Sequence, residues 1–280
     1  MKFGLIGHPI EHSLSPALFK AGYDGRYPYE LIQTADFEDA YARFLADYDG
    51  INVTAPFKEL AIKKADILSE ECQAIGATNL LIKTPEGIKA HNSDYLGVRL
   101  WISSAMAELK RTPYPTPSNV LSHAARGVAR FSDQPPHSEI PSILIVGLGG
   151  AGKAAAQAAM SLGCEVILMN RTQYSEEIRP LSEFREAFKT TDILIYNLPV
   201  RLPELDLLGP DDFIEGQPKH ILEANYRNPS FDKELIDRLQ AIHPQTEYTR
   251  GETWLLLQAL TGYEIFTGEK PDLEKMTACL

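Results

Sequence analysis

Two short polar segments and one glycine-rich turn hold the residue types that chemistry needs. In Gly7-His8-Pro9-Ile10-Glu11-His12-Ser13-Leu14-Ser15-Pro16, two hydroxyls stand at the start of a helical pattern. In Asn52-Val53-Thr54-Ala55-Pro56-Phe57-Lys58, an amide, a hydroxyl and an ammonium leave the end of a strand. These groups suit a small polyhydroxylated acid, whose oxygens take hydrogen bonds and whose reacting oxygen takes or gives a proton. The third segment, Ile143-Leu144-Ile145-Val146-Gly147-Leu148-Gly149-Gly150-Ala151-Gly152, runs an apolar strand into G-x-G-x-x-G and on into an Ala-rich helix. One such glycine makes the sharp turn, a second lets the backbone approach a pyrophosphate, and a third lets the helix pack close to the strand. A helix opening near Ala151 also offers unpaired N–H groups and the positive end of its dipole to phosphate.

After that helix a second apolar strand, Glu165 to Met169, ends at Asn170-Arg171-Thr172. A unit that binds NAD usually places a carboxylate there for the ribose 2′-hydroxyl. Arg171 stands in its place, and a guanidinium pairs with a 2′-phosphate, so the pattern favours NADP. A nicotinamide enzyme must also supply a group that moves the proton accompanying hydride transfer. The glycine turn cannot do this, which directs the search to the two polar loops in the first part of the chain.

The elements that would position these loops alternate between strand and helix. Strands are expected at Phe3 to Ile6, Tyr29 to Ile32 and Gly50 to Thr54, with helices near Ser15 to Ala21, Phe37 to Asp47 and Ala61 to Lys64. Ala77 to Ile82 and Gly87 to His91 read as two arms of a strand pair around Thr84-Pro85-Glu86-Gly87. A helix from Asp94 to Leu109 follows. Thr112 to Pro117 has proline at every second position, which neither a helix nor a central strand tolerates, so an extended spacer is expected. Within the insertion, Ser118 to Phe131 is read as a surface segment that can form a short helix, with Val120, Leu121, Ala124 and Val128 on one face. Asp192 to Asn197 and His220 to Glu223 suit buried parallel strands, and Glu252 to Phe266 is a late helix. The expected class is α/β: a substrate domain over residues 1–108 completed by 250–280, a Pro-rich insertion over 109–141, and a Rossmann-like NADP-binding domain over 142–249, with the active site in the cleft between the domains.

Composition narrows the partners. At 280 residues and 44% hydrophobic content the chain can bury a sizeable core. A net charge of −11 argues against nonspecific nucleic-acid binding and against an anionic membrane surface. The first strand begins too early for a signal peptide and no apolar run is long enough for a membrane span, so a cytoplasmic location is expected. Cys72, Cys164 and Cys279 are too few and too scattered for a disulfide framework or a zinc site. His8 and His12 are separated by Pro9 and cannot form a helical ligand pair, so no metal is assigned.

Taken in order, Ser13-x-Ser15-Pro16, Asn52-Val53-Thr54-x-Pro56-x-Lys58, Gly76-Ala77-x-Asn79, Asn92-Ser93-Asp94-x-x-Gly97, the glycine turn, Asn170-Arg171-Thr172, Tyr226, and Gly251 through Gln258 to Thr267-Gly268 resemble the shikimate/quinate dehydrogenase family. The similarity spans residues 1 to 108 and 142 to about 270. It implies reduction of 3-dehydroshikimate to shikimate with NADPH, a step of aromatic amino acid biosynthesis. It also implies Lys58 as general acid or base paired with Asp94, and Ser13, Ser15 and Tyr226 as holders of the substrate carboxylate. Thr54, Asn79, Asp94 and Gln258 would lie near the ring hydroxyls. Gly147, Leu148, Gly149, Gly150, Ala151, Gly152, Asn170, Arg171, Thr172, Ala224 and Gly251 would line the NADP site.

A carboxylate neighbour favours the charged form of lysine, which suits the reduction direction; oxidation needs the opposite state and improves as pH rises. Taken singly, Asp94, Ser13 and Ser15 have a plainer reading as helix caps. The chain departs from the family pattern at Phe19-Lys20, Leu80, Ser93, Asn197-Leu198-Pro199-Val200 and around Tyr226. Two alternatives stay open: a quinate/shikimate dehydrogenase using NAD or NADP, and a catalytically silent sensor of the same fold. The expected partners are small molecules, with the chain a monomer or homodimer.

Overall fold

The structure, a computed structural model, describes residues 1–111 and 140–280. The alternating prolines and the segment from Ser118 to Phe131 lie outside the described residues. The chain divides into two compact units: Met1–Trp101 with Gly149–Ala158 and Gly251–Leu280, and Ile102–Leu148 with Ala159–Arg250.

The first unit holds β1 (Phe3–Gly7), α1 (Ser15–Gly22), β2 (Tyr29–Gln33), α2 (Phe37–Asp47), β3 (Gly50–Val53), α3 (Lys58–Ala61), β4 (Ile67–Leu68), α4 (Glu70–Ile75), β5 (Leu80–Thr84) and β6 (Gly87–His91). The helix α5 (Ser93–Arg111) begins in this unit. Its sheet has the order β2-β1-β3-β5-β6-β4. β1 runs parallel to both neighbours, whereas β5 is antiparallel to β3 and to β6. The strand pair read around the Thr84–Gly87 turn is present, with Thr84 opposite Gly87.

Strand alternation sends neighbouring side chains to opposite faces, so Leu80 and Leu81 join different clusters. One face packs Phe3, Leu18, Phe19, Tyr263 and Phe266; the other packs Ile6, Ile32, Phe44, Ile51 and Val53. Burying each such side chain contributes about 1.5–3 kcal/mol.

Two shifted boundaries and one additional helix stand out against the sequence expectation. β5 starts at Leu80 rather than Ala77, because the Thr78 hydroxyl donates to the His91 carbonyl at 2.6 Å and accepts from Leu80 N at 3.2 Å in place of ladder bonds. The helix expected near Ala61 begins at Lys58 and tightens to a 3-10 turn over Ile62–Lys64. α4 has no counterpart in the expectation; it follows Ser69 and ends on Gly76, whose φ of 71° is the left-handed cap that glycine adopts without strain.

The second unit contains β7 (Ser142–Val146). After it the chain forms α6 (Gly150–Ser161), β8 (Glu165–Met169), β9 (Ile178–Arg179), α7 (Phe184–Thr190), β10 (Ile193–Tyr196), α8 (Pro203–Asp206), β11 (Lys219–Glu223), α9 (Lys233–Ile242) and β12 (Thr246–Thr249). Its order is β12-β11-β10-β7-β8-β9, every pair parallel. Numbered within the unit, this is the 3-2-1-4-5-6 order of a dinucleotide-binding doubly wound sheet. The chain closes with α10 (Gly251–Thr267) and α11 (Leu273–Thr277), both in the first unit. Among the described residues no helix is long and apolar enough to cross a membrane.

Candidate active site

Strand direction delivers four polar segments to one edge of the first sheet. β1 and β3 are parallel neighbours, so the loops after them, with Ser13 and Thr54, leave at the same edge. β5 is antiparallel to β3 with Leu80 opposite Asn52, which puts its leading residue Asn79 there; Val53 N donates to the Asn79 carbonyl at 2.8 Å. β6 then ends with His91 opposite Leu80 and delivers Asn92, Ser93 and Asp94. The first two loops touch because position 7 has no side chain: a Cβ on Gly7 would collide with the Thr54 methyl and stand 2.7 Å from Ile10.

Lys58 Nζ donates to Asp94 Oδ2 at 2.5 Å, across 36 residues of sequence. The two side chains are 20% and 12% exposed, sheltered enough to strengthen the pair and open enough for a ligand to reach it. The capping alternative for Asp94 is taken by its neighbour, since Asn92 Oδ1 accepts from Tyr95 N at 3.1 Å. That leaves the Asp94 carboxylate for Lys58. Two further bonds fix the start of α5: the Trp254 indole donates to the Asp94 carbonyl at 2.9 Å, and Asn92 N donates to Glu71 at 3.3 Å. Burial pushes the Glu71 carboxyl up, but hydrogen bonds from His91, Ser69 and backbone N–H groups overcome it and hold it at about 2.

Asn79 is nearly fully buried, with its amide donating to Ser93 Oγ at 3.0 Å and to Gln258 Oε1 at 3.2 Å, and its Oδ1 accepting from Ser93 N at 2.7 Å. α10 can bring Gln258 so close only because Gly97 lacks a side chain; a Cβ there would stand 2.5 Å from Gln258 N. Ser13 and Ser15 pair through their hydroxyls at 3.2 Å. The first residue before α1 is Leu14, with no side-chain cap, and Ser13 Oγ accepts from Ser15 N instead. Within this unit, a Cβ on Gly150 would stand 3.6 Å from Lys58 Cδ, and Lys153 pairs with Glu59 at 3.1 Å.

In the second unit the loops after β7, β8, β10 and β11 all leave the carboxyl edge, because these strands are parallel neighbours. Gly147 has φ 89°, a backbone state that favours glycine, and a Cβ on it would press 2.9 Å from Leu198. Nothing lies within 4 Å of where a Cβ on Gly149 would be, an open approach to the backbone that a pyrophosphate requires. Leu148 N donates to Asn170 Oδ1 at 3.3 Å, tying the glycine turn to the Asn170-Arg171-Thr172 segment. Arg171 is exposed, and Asn197 Oδ1 is buried without a hydrogen-bond partner among the described residues. These features fit a dinucleotide phosphate held by backbone N–H groups with a guanidinium beside it.

Ala224 N donates to the Tyr196 carbonyl at 2.8 Å. Buried Glu223 accepts from Ser230 N at 2.5 Å and Phe231 N at 3.1 Å, closing the loop that carries Ala224 and Tyr226. The Tyr226 ring lies under the Arg227 guanidinium. Gly251 is buried at the first position of α10. His8 and His12 are exposed; one trio among the described residues, Glu108, His220 and Glu247, brings ligand-type atoms within 4.8 Å of one another, where two exposed carboxylates flank a buried imidazole. Sequence reasoning missed Asn92 and Trp254 as partners of the site. Only Asn92 left a local signal, as an Asn just before a helical run.

Comparison with known proteins adds to this geometry. Residues 5–81 match the model of the shikimate dehydrogenase substrate binding domain, and residues 126–226 match that of the D-isomer specific 2-hydroxyacid dehydrogenase NAD binding domain. The chain is 28% identical to the shikimate dehydrogenase (NADP(+)) of Pyrococcus furiosus, covering 98% of this chain and 93% of that one. It is 25% identical, with a TM-score of 0.70, to the shikimate 5-dehydrogenase of Thermus thermophilus solved in complex with NADP(H) and shikimate, covering 100% and 98% of the two chains. The quinate dehydrogenase of Corynebacterium glutamicum, solved with NAD, shares the fold at a TM-score of 0.74 and 20% identity over 100% and 98% of the chains. With matching motifs in matching order, a sheet edge that assembles them, and relatives aligned over nearly the whole chain, this protein is similar to the shikimate dehydrogenases along nearly its full length.

Proposed function

We propose that the protein reduces 3-dehydroshikimate to shikimate with NADPH, acting in the cytoplasm as a monomer or homodimer. The observation that carries this reading is the Lys58–Asp94 pair at 2.5 Å, on the sheet edge that also bears Ser13, Ser15, Thr54 and Asn79. When bound, NADPH supplies the hydride. The residues to hold it are Gly147, Leu148, Gly149, Gly150, Ala151, Gly152, Asn170, Arg171, Thr172, Ala224 and Gly251.

Lys58 donates to the C3 carbonyl oxygen, stabilises the negative charge that develops there, and then gives up a proton. Asp94 orients the ammonium and accepts from a neighbouring substrate hydroxyl. Ser13 and Ser15, with Tyr226, turn O–H groups to the carboxylate, while Thr54, Asn79 and Gln258 read ring hydroxyls. Asn79 and Gln258 are already bonded to each other, so they meet the ring as one preset unit.

Purified protein is tested by NADPH oxidation with and without 3-dehydroshikimate, and equal rates would overturn the reading. Turnover of shikimate and of quinate, each with NAD and with NADP, separates the quinate alternative. A silent sensor would bind substrate yet show no rate in any of the four combinations.

A further inference from the structure

We propose that Glu108, His220 and Glu247, all in the second unit and none of them assigned to substrate or NADPH, form a binding site for a divalent transition-metal ion of the zinc class. β11 and β12 run parallel with His220 opposite Glu247, so both side chains leave the same face of the sheet. Glu108, in the last turn of α5, reaches the same point. His220 Nδ1 stands 3.4 Å from Glu247 Oε2 and 3.8 Å from Glu108 Oε2, and the three ligand-type atoms all lie within 4.8 Å of one another. The His220 residue is only 4% exposed, whereas both glutamates are open to solvent.

The spacing fits an ion better than it fits the three side chains alone. A charge-assisted hydrogen bond spans about 2.7–2.9 Å, shorter than either gap. Metal bonds of about 2.0–2.2 Å to nitrogen and carboxylate oxygen put the corners of a tetrahedron about 3.4 Å apart, close to both. A neutral imidazole carries at most one proton at Nδ1 and so answers one carboxylate, whereas a dication answers two. Burial outweighs the nearby Glu247, Glu108 and Asp192 carboxylates and holds His220 below its ordinary value, which keeps the ring in the neutral form that ligates. One nitrogen and two carboxylate oxygens suit Zn²⁺ rather than Mg²⁺ or Ca²⁺, which gather oxygens in larger number. Water takes the fourth position from the solvent side. Bound there, the ion ties the edge strand β12 to β11 and to the end of α5.

The test uses the full chain stripped of metal by a chelator, with Zn²⁺ and Co²⁺ as probes. Zn²⁺ should bind at one equivalent by titration calorimetry and raise the unfolding midpoint. Co²⁺ should give the strong visible absorption of a four-coordinate ion without the near-ultraviolet band of a thiolate ligand. His220→Gln and Glu247→Gln should each weaken Zn²⁺ binding by about 100-fold or more, above what a change outside the ligand set costs. Cys279→Ser should leave it unchanged. Absence of binding, equal affinity in the wild type and Glu247→Gln, binding lost in Cys279→Ser, or the weak spectrum of six-coordinate cobalt would each overturn the proposal. Should His220→Gln fail to fold, Glu247→Gln and Glu108→Gln, both at exposed positions, decide the matter, and full binding in both overturns it. No arm depends on turnover of 3-dehydroshikimate, so the site and the functional reading stand or fall separately.

Discussion

The two units solve different binding problems with different parts of the chain. In the first, side chains from distant positions form the site, and the backbone only brings them together: Lys58 meets Asp94, and Asn79 meets Gln258. In the second, the proposed phosphate cradle is backbone, and buried polar side chains hold the loops. Glu223 accepts two backbone N–H groups, Asp192 accepts from Ser142 N at 2.8 Å, and Lys219 donates to the Phe188 carbonyl at 2.5 Å and to the Thr191 carbonyl. Chemistry on one carbon needs particular functional groups, whereas cradling phosphate needs N–H groups that every residue but proline carries. A site of the first kind is broken by changing one side chain; a site of the second kind is broken by adding one.

The sharpest way to break this contrast is Lys58→Ala. It removes the proposed proton donor and should lower kcat by about 10²–10⁴-fold with a small change in substrate KM. Single-turnover measurement of NADPH oxidation checks it, and a loss of less than about tenfold would leave the first unit without its chemistry.

The exception that sharpens the contrast is Arg171, a side chain in the backbone-dominated unit. Arg171→Asp replaces the proposed partner of the 2′-phosphate by a group that repels it and accepts from a 2′-hydroxyl. The ratio of kcat/KM for NADPH to that for NADH should fall about 100-fold.

Gly97→Ala asks whether the first unit also depends on close backbone approach. Its Cβ would stand 2.5 Å from Gln258 N, so α5 and α10 must part, at a cost of about 1–3 kcal/mol. Urea unfolding measures that loss, and a raised substrate KM should accompany it as Gln258 moves off Asn79.

The smallest effect concerns Lys219, whose ammonium burial pushes from 10.5 down to about 7. Two N–H donors of a neutral amine match the two carbonyls it meets. Between about pH 7 and the ordinary lysine value the unfolded chain binds a proton that the folded chain lacks, so stability rises with pH in that window and is flat below it. Unfolding midpoints from about pH 7 to about 9 should therefore climb in the wild type and climb less in Lys219→Met.

Much of this was legible in the residues, for reasons that differ by element. The glycine turn, its strand and its helix are contiguous, so apolar periodicity and three glycines identify them without reference to the rest of the fold. The strand pair at Thr84–Gly87 was equally local. α4 escaped notice because Glu70–Ile75 is too short for a periodic pattern, although Gly76 marks its end. β9 is two residues long, and β4 likewise, too brief for any alternation to register. The capping alternative for Asp94 could not be decided from sequence, since Asn92 and Asp94 are both residue types that cap. The folded chain gives the cap to Asn92.

By itself the sequence determined the longer secondary elements, the glycine turn and the Arg171 position, because each depends on neighbours within one strand and helix. Tertiary structure alone decided which polar side chains meet. Lys58 and Asp94 are 36 residues apart, and Asn79 and Gln258 are 179 apart. Only the antiparallel placement of β5 between β3 and β6 and the missing side chain at Gly97 bring them within hydrogen-bond reach. A short-range pattern carries no record of such distances, because they are fixed by how sheets pair and helices pack.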